Sequence, residues 1–201
     1  MGSKERRERE REAMRQAIME AALMIATQEG WQAVTVRRVA ERIEYSPSAL
    51  YKYFEDKEAI LETLLVQGFA QLLEELRRAV AGVLDPEERL LHIATAYWGF
   101  VWRNQTLYEL MFSLRQGGLH NVQEAKATFA LVRSALADWS LARSVTLRNL
   151  DDAVDILWAT LHGLVSLALA HLIYGGPPRA KQLLTRAVRD LLRSWEQAPA
   201  R

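Results

Sequence analysis

The chain has 201 residues, half of them apolar and a quarter charged, a composition that supports a packed core and excludes a disordered polymer. Its 26 basic and 25 acidic residues nearly cancel, so contact with nucleic acid by bulk charge is excluded and a local patch would be needed. It has no cysteine, which excludes disulfide scaffolds, zinc ribbons, iron–sulfur clusters and thiol nucleophiles.

Residues 4–12, KERRERERE, alternate in charge and lack the apolar run of a signal peptide, so a cytoplasmic location is expected. The acids offset most of the attraction of the bases, and the run is expected to be a frayed helix extension rather than a minor-groove arm. Helix punctuation dominates the rest of the chain. Pro47, Pro86 and Pro177–Pro178 fall at first helical turns. Asp85–Glu88 and Thr106–Glu109 read as capping boxes, and Gly30, Gly117–Gly118 and Gly175–Gly176 sit where helices should stop. No stretch alternates apolar and polar residues with β-branched enrichment, so no sheet is expected. The expectation is an all-α chain of about nine helices, covering about 5–29, 35–43, 47–53, 57–82, 86–104, 106–115, 121–143, 150–174 and 178–196. Composition shifts near residue 57, which divides a small N-terminal three-helix module (1–56) from a larger helical body (57–201).

The informative stretch is TVRRVAERIEYSPSALYKYFEDK, residues 35–57. Thr35 is a good N-cap for a short helix that turns Val36, Val39, Ala40 and Ile43 inward. After a break at Glu44-Tyr45, Ser46 caps a second helix, Pro47 takes its first position, and Leu50 and Phe54 supply its apolar face. Two short helices joined by a tight turn form a helix-turn-helix, whose second helix enters the major groove. Ser48, Ala49, Lys52 and Tyr53 lie on that helix's outer face and are able to approach bases and phosphates. Lys57 opens the next helix, where its charge adds to the positive end of the helix dipole. Arg38 and Arg42 read better as a solvated face.

The segment from about Arg15 to Leu61 resembles the DNA-binding domain of the TetR family of bacterial transcriptional regulators. Ile18, Ala21-Ala22, Gly30, Thr35, Val39-Ala40, Ser46, Leu50-Tyr51, Tyr53-Phe54 and Lys57-Glu58 carry the resemblance. It implies that Thr35, Tyr51, Tyr53 and Lys57 bind phosphates and that Arg37, Pro47, Ser48, Ala49 and Lys52 lie near base edges, with Ser46 in the same DNA-facing set. Glu44 departs from the family, where glycine usually closes the first helix; at positive φ it would be strained by about 1 kcal/mol.

The body holds most of the aromatic residues. Helix 86–104 has more apolar directions than one core face needs, so it is either buried all round or lines part of a cavity for a small, largely apolar or aromatic effector. Its candidate lining is Trp98, Trp102, Tyr108, Phe112, Phe129, Trp158 and His162, with His92 and Arg115 as further polar members. Trp158-x-x-x-His162-Gly163 is similar to a pattern in a subgroup of these regulators. For any one of these residues, plain core packing is the commoner role.

Residues 156–174 contain no Asp, Glu, Lys or Arg and reach the length of a membrane span, but Asp151, Asp152, Asp155, His162 and His171 favour a buried helix. With 178–196 it would form a four-helix interface between two chains, hence a homodimer on a palindromic operator. The histidines show no metal-ligand spacing, and no phosphate loop or nucleophile elbow occurs, so neither a metal nor a cofactor nor an enzyme is expected. The expected function is a ligand-released repressor that binds double-stranded DNA. The alternatives are a helical carrier or enzyme without specific DNA binding, and a membrane-associated protein.

Overall fold

The computed structural model describes residues 2–112 and 122–197, so Arg115, Gly117–Gly118, His120 and Pro199 lie outside the described residues. Among these residues the chain forms nine α-helices and one 3-10 turn, with no strand. They are α1 (Ser3–Glu29), the turn Trp31–Ala33, α2 (Val36–Arg42), α3 (Pro47–Leu50), α4 (Lys57–Val80), α5 (Pro86–Arg103), α6 (Gln105–Met111), α7 (Gln123–Ala142), α8 (Leu150–Leu169) and α9 (Gly176–Glu196).

The chain packs as two compact units. The first unit runs through Gly68 and takes in α6; the second holds the rest of α4 together with α5, α7, α8 and α9. Helix α4 is continuous through the division because its stripe of Ile60, Leu64, Phe69, Leu72 and Leu76 is buried at helical spacing along its whole length. Gly68 marks a close approach within the first unit. A Cβ there would lie 2.7 Å from Met111 Sδ and 3.1 Å from Leu107 Cγ, so α6 packs directly on the α4 backbone.

In the first unit α1 is helical from Ser3, not frayed; it is exposed over 4–13, and its inner face is buried from Ile18. Ile18, Ala22 and Ile25 recur at helical spacing and are at most 2% exposed. The Thr35 hydroxyl accepts from the Arg38 N–H at 3.2 Å, capping α2 as expected. Helix α2 ends with Glu44 at φ 60, the left-handed conformation in which glutamate is strained, closed by Tyr45 N–H donating to the Ala40 carbonyl at 2.9 Å.

Ser46 takes the N-cap position of α3 but makes no side-chain cap; its hydroxyl instead lies 3.0 Å from that of Ser48. Helix α3 ends at Leu50, three residues short of expectation, and 51–53 continue as turn. The Asp85 box is partly realised, with Glu88 N–H donating to Asp85 Oδ1 at 2.9 Å. The Thr106 box is not: Asn104 precedes α6, and the Thr106 hydroxyl accepts from Thr27 at 3.0 Å.

In the second unit α5 packs against α7, α8 and α9, and α8 packs against α7 and α9. Among the described residues α8 is the one helix long and apolar enough to cross a membrane. Here it buries Ala153, Val154, Leu157, Trp158, Leu161, Val165 and Ala168 within the unit. It stops at Leu169 rather than 174, because His171 turns left-handed at φ 56 and Leu172 N–H bonds back to the Leu167 carbonyl at 2.9 Å.

Candidate functional site

The helix-turn-helix geometry follows from three anchors. Leu50 and Phe54 are at most 5% exposed and fix α3 and the turn after it. Arg15 of α1 donates to the Tyr53 carbonyl at 2.6 Å, and its guanidinium lies 4.1 Å from the Phe54 ring centroid. This residue has no local sequence signal for the role, since its partner lies 38 positions away.

With the back of the element fixed, Thr35, Ser46, Pro47, Ser48, Tyr51 and Lys52 are exposed, while Ala49 and Tyr53 are half-buried. Arg37 is exposed and holds Glu41 at 2.8 Å, and that hydrogen bond raises the guanidinium pKa above its ordinary value. Arg38 is committed elsewhere: both its terminal nitrogens pair with the Glu29 carboxylate, whose pKa is lowered mainly by that hydrogen bond. Lys57 is half-buried and donates to the Trp31 carbonyl at 3.1 Å. Asp56, unremarked in the sequence, caps α4 through Ala59 N–H at 2.8 Å and brings a negative charge to the same helix end. Lys57 is therefore a brace for the Trp31 turn before it is an anion site.

The candidate effector residues divide between the two units. Tyr108 and Phe112 belong to the first, their ring centroids 4.9 Å apart. In the second, Phe129 meets Trp158 at 4.9 Å, and Trp158 meets Tyr97 at 5.0 Å. The Tyr97 hydroxyl lies 3.1 Å from His162 Nδ1. Trp98 and Trp102 stack on one another along α5 at 4.6 Å. Tyr97, fully buried and joining the aromatic rings to His162, was visible in the sequence only as one aromatic among several.

His92 lies apart from these rings, in an open groove of about 830 Å³ lined also by Glu75, Arg78, Gly99, Arg103 and Lys181. Among the described residues no group of three His, Asp or Glu side chains is placed to hold a metal ion.

Burial holds the His162 imidazole below its ordinary pKa of 6.5. The unfolded chain then binds the proton more readily than the folded one. The stability this site contributes is present above the unfolded value and is lost as pH falls below it. The melting temperature is expected to drop more steeply for the native chain than for His162→Gln between about pH 7 and pH 5. Parallel melting profiles of the two proteins would refute it.

Two family models match the chain: bacterial regulatory proteins, tetR family, over residues 18–64, and the tetracyclin repressor-like C-terminal domain over 90–191. The HTH-type transcriptional repressor KstR of Mycolicibacterium smegmatis is 33% identical over 111 residues, covering 55% of this chain and 52% of that protein. The chain spans about half the length of the curated relatives it matches. A protein of unknown function from Rhodococcus sp. RHA1 superposes with a TM-score of 0.80 at 25% identity, over 91% of this chain and 95% of the other. The regulator FadR of Bacillus subtilis, solved in complex with stearoyl-CoA, shares the fold with a TM-score of 0.69 at 17% identity, over 92% and 99% of the two chains.

Proposed function

The chain belongs to the TetR family of bacterial regulatory proteins, and on that premise we propose that it is a cytoplasmic repressor, released from a palindromic operator by a small, largely apolar effector. The observation that carries the reading is the outward face of the helix-turn-helix. Ser48, Tyr51 and Lys52 are exposed on a turn whose opposite side is fixed by buried Leu50 and Phe54 and by Arg15. Thr35 and Lys57 add backbone contacts; Arg37, Pro47 and Ala49 flank the base edges, with Ser46 and Tyr53 beside them. The N-terminal module then reads DNA, and the helical body holds the effector and the dimer contact.

A homodimer is supported by the apolar surface the second unit leaves uncovered. Ile156 and Leu167 of α8 are 48% and 45% exposed. On α9, Leu183, Ala187, Leu191 and Trp195 form a half-buried row beside the buried row of Ala180, Leu184, Val188 and Leu192. Two such pairs of helices make a four-helix interface with two-fold symmetry, and two recognition helices then require a two-fold operator. Phe129, Trp158 and Tyr97, with His162 as the polar member, are the effector contacts of the body; Trp98 and Trp102 extend them. Tyr108 and Phe112 are candidate effector contacts within the first unit. The neighbour FadR indicates that a fold of this kind accommodates a long acyl chain. Helix α4, shared by both units, couples the sites, so DNA weakens effector binding by the factor by which effector weakens DNA binding.

The test is selection of bound duplexes from a randomised pool at about 0.1–0.2 M salt, where plain charge attraction is suppressed. An enriched palindrome, released when stearoyl-CoA or a simple aromatic carboxylate is added, is the expected result. Enrichment of no sequence, with or without these probes, would overturn it.

A further inference from the structure

The charge alternation of residues 4–12 exists only along the sequence. Wound into α1, the bases sort. Lys4, Arg7 and Arg11 follow i, i+3, i+7, and the same line continues through Arg15 and then the buried Ile18, Ala22 and Ile25. This row packs inside the first unit further along the helix, and at Arg15 it meets the segment leaving α3, at the Tyr53 carbonyl and the Phe54 ring. Ion pairing divides along the same line. Arg6, on another face, holds Glu10 at 3.5 Å, and Arg9 donates to the Glu5 carbonyl at 3.4 Å. Lys4, Arg7 and Arg11 make no ion pair among the described residues and are exposed, with Glu8 at the edge of the row.

We propose that Lys4, Arg7 and Arg11 form a second DNA contact, holding backbone phosphates beside the half-site that α3 reads; this rests on the DNA-binding function proposed for the helix-turn-helix. Two observations favour phosphates as the occupant: the sign of the charge and continuity with the end of the recognition element. A solvated helix polar on every side has little reason of its own to persist for three turns. At 1.5 Å per residue the row extends about 16 Å beyond Arg15, or about five base pairs of duplex.

The test compares Lys4→Gln/Arg7→Gln/Arg11→Gln with Arg6→Gln/Arg9→Gln on the selected palindrome, either cut flush or carrying about ten extra base pairs on each side. On the longer duplex the triple variant is expected to bind at least tenfold more weakly, with the slope of log affinity against log salt reduced by about 3 for each protomer. On the flush duplex it should bind like the native chain. Its preference for the palindrome over scrambled sequence should not change, because phosphate contacts carry no sequence information. Equal losses in the triple and double variants, or equal slopes for the native chain and the triple variant, would overturn the arm. A native chain that prefers no sequence would overturn the DNA-binding function itself.

Discussion

Tyr51→Ala combined with Lys52→Ala should weaken operator binding about a thousandfold while leaving the protein as stable as before. Tyr51 is 57% exposed and Lys52 is exposed, and neither side chain forms a hydrogen bond or ion pair among the described residues. Removing them therefore costs the fold within about 0.5 kcal/mol, a melting shift of at most about 2 °C. In the proposed complex each side chain would supply one contact to phosphate or base, and the two-fold symmetry proposed for the dimer would double the loss. Four contacts at about 1 kcal/mol each amount to about a thousandfold in affinity. Binding to the selected palindrome by fluorescence anisotropy, beside a thermal melt of the same samples, separates the two effects. An affinity within threefold of the native chain would remove these residues from the interface. Lys57→Ala is the instructive contrast: it takes a donor from the Trp31 carbonyl as well as a charge from the surface, so its melt should shift too.

What was legible in the sequence was what a few neighbouring residues decide. The Thr35 cap, the inward Val39 and Ala40, and the buried Leu50 and Phe54 follow from spacing and side-chain type over one or two turns, and each stands where expected. The strain at Glu44 followed from the resemblance, in which glycine usually closes the first helix, and Glu44 does take positive φ. The failures share a different cause. Ser46 has a second hydroxyl two residues on, at Ser48, and spacing cannot say which partner it will take. The end of α8 depends on His171 accepting a conformation that glycine usually signals, so the glycines at 175–176 misplaced it by five residues.

The site was less legible than the fold because its geometry is set across the chain. Tyr97 and His162 are 65 positions apart, and only the packing of α5 against α8 brings them together. Tyr108 and Phe112 follow closely after the tryptophans of α5 in sequence. They nonetheless belong to the first unit, where the Trp31 indole donates to the Thr106 carbonyl at 3.1 Å and α6 lies on Gly68. Proximity along the chain did not show which unit each aromatic residue packs in. The alternating charges at the start of α1 make the same point in reverse: neighbours in sequence that nearly cancel are separated by the helical period.

The largest loss of stability should come from Trp139→Ala. Trp139 is fully buried on α7, beside Leu136, with the Trp195 ring of α9 at 6.2 Å. Truncating a buried tryptophan to alanine costs about 3–5 kcal/mol, a large part of the ~5–15 kcal/mol that holds a domain folded. Its indole N–H has no hydrogen-bond partner among the described residues, which makes the conservative substitution informative. Trp139→Phe gives up some volume but also removes a buried unsatisfied donor, worth about 1–3 kcal/mol, so the two effects nearly offset. Urea unfolding should therefore place Trp139→Phe within about 1 kcal/mol of the native chain and Trp139→Ala far below both. If phenylalanine costs nearly as much as alanine, the indole N–H is bonded in solution and the site is held by polarity. The expected wide gap would mean that Trp139 acts by volume alone, filling the space between α7 and α9 next to the row of α9 residues assigned to the partner chain.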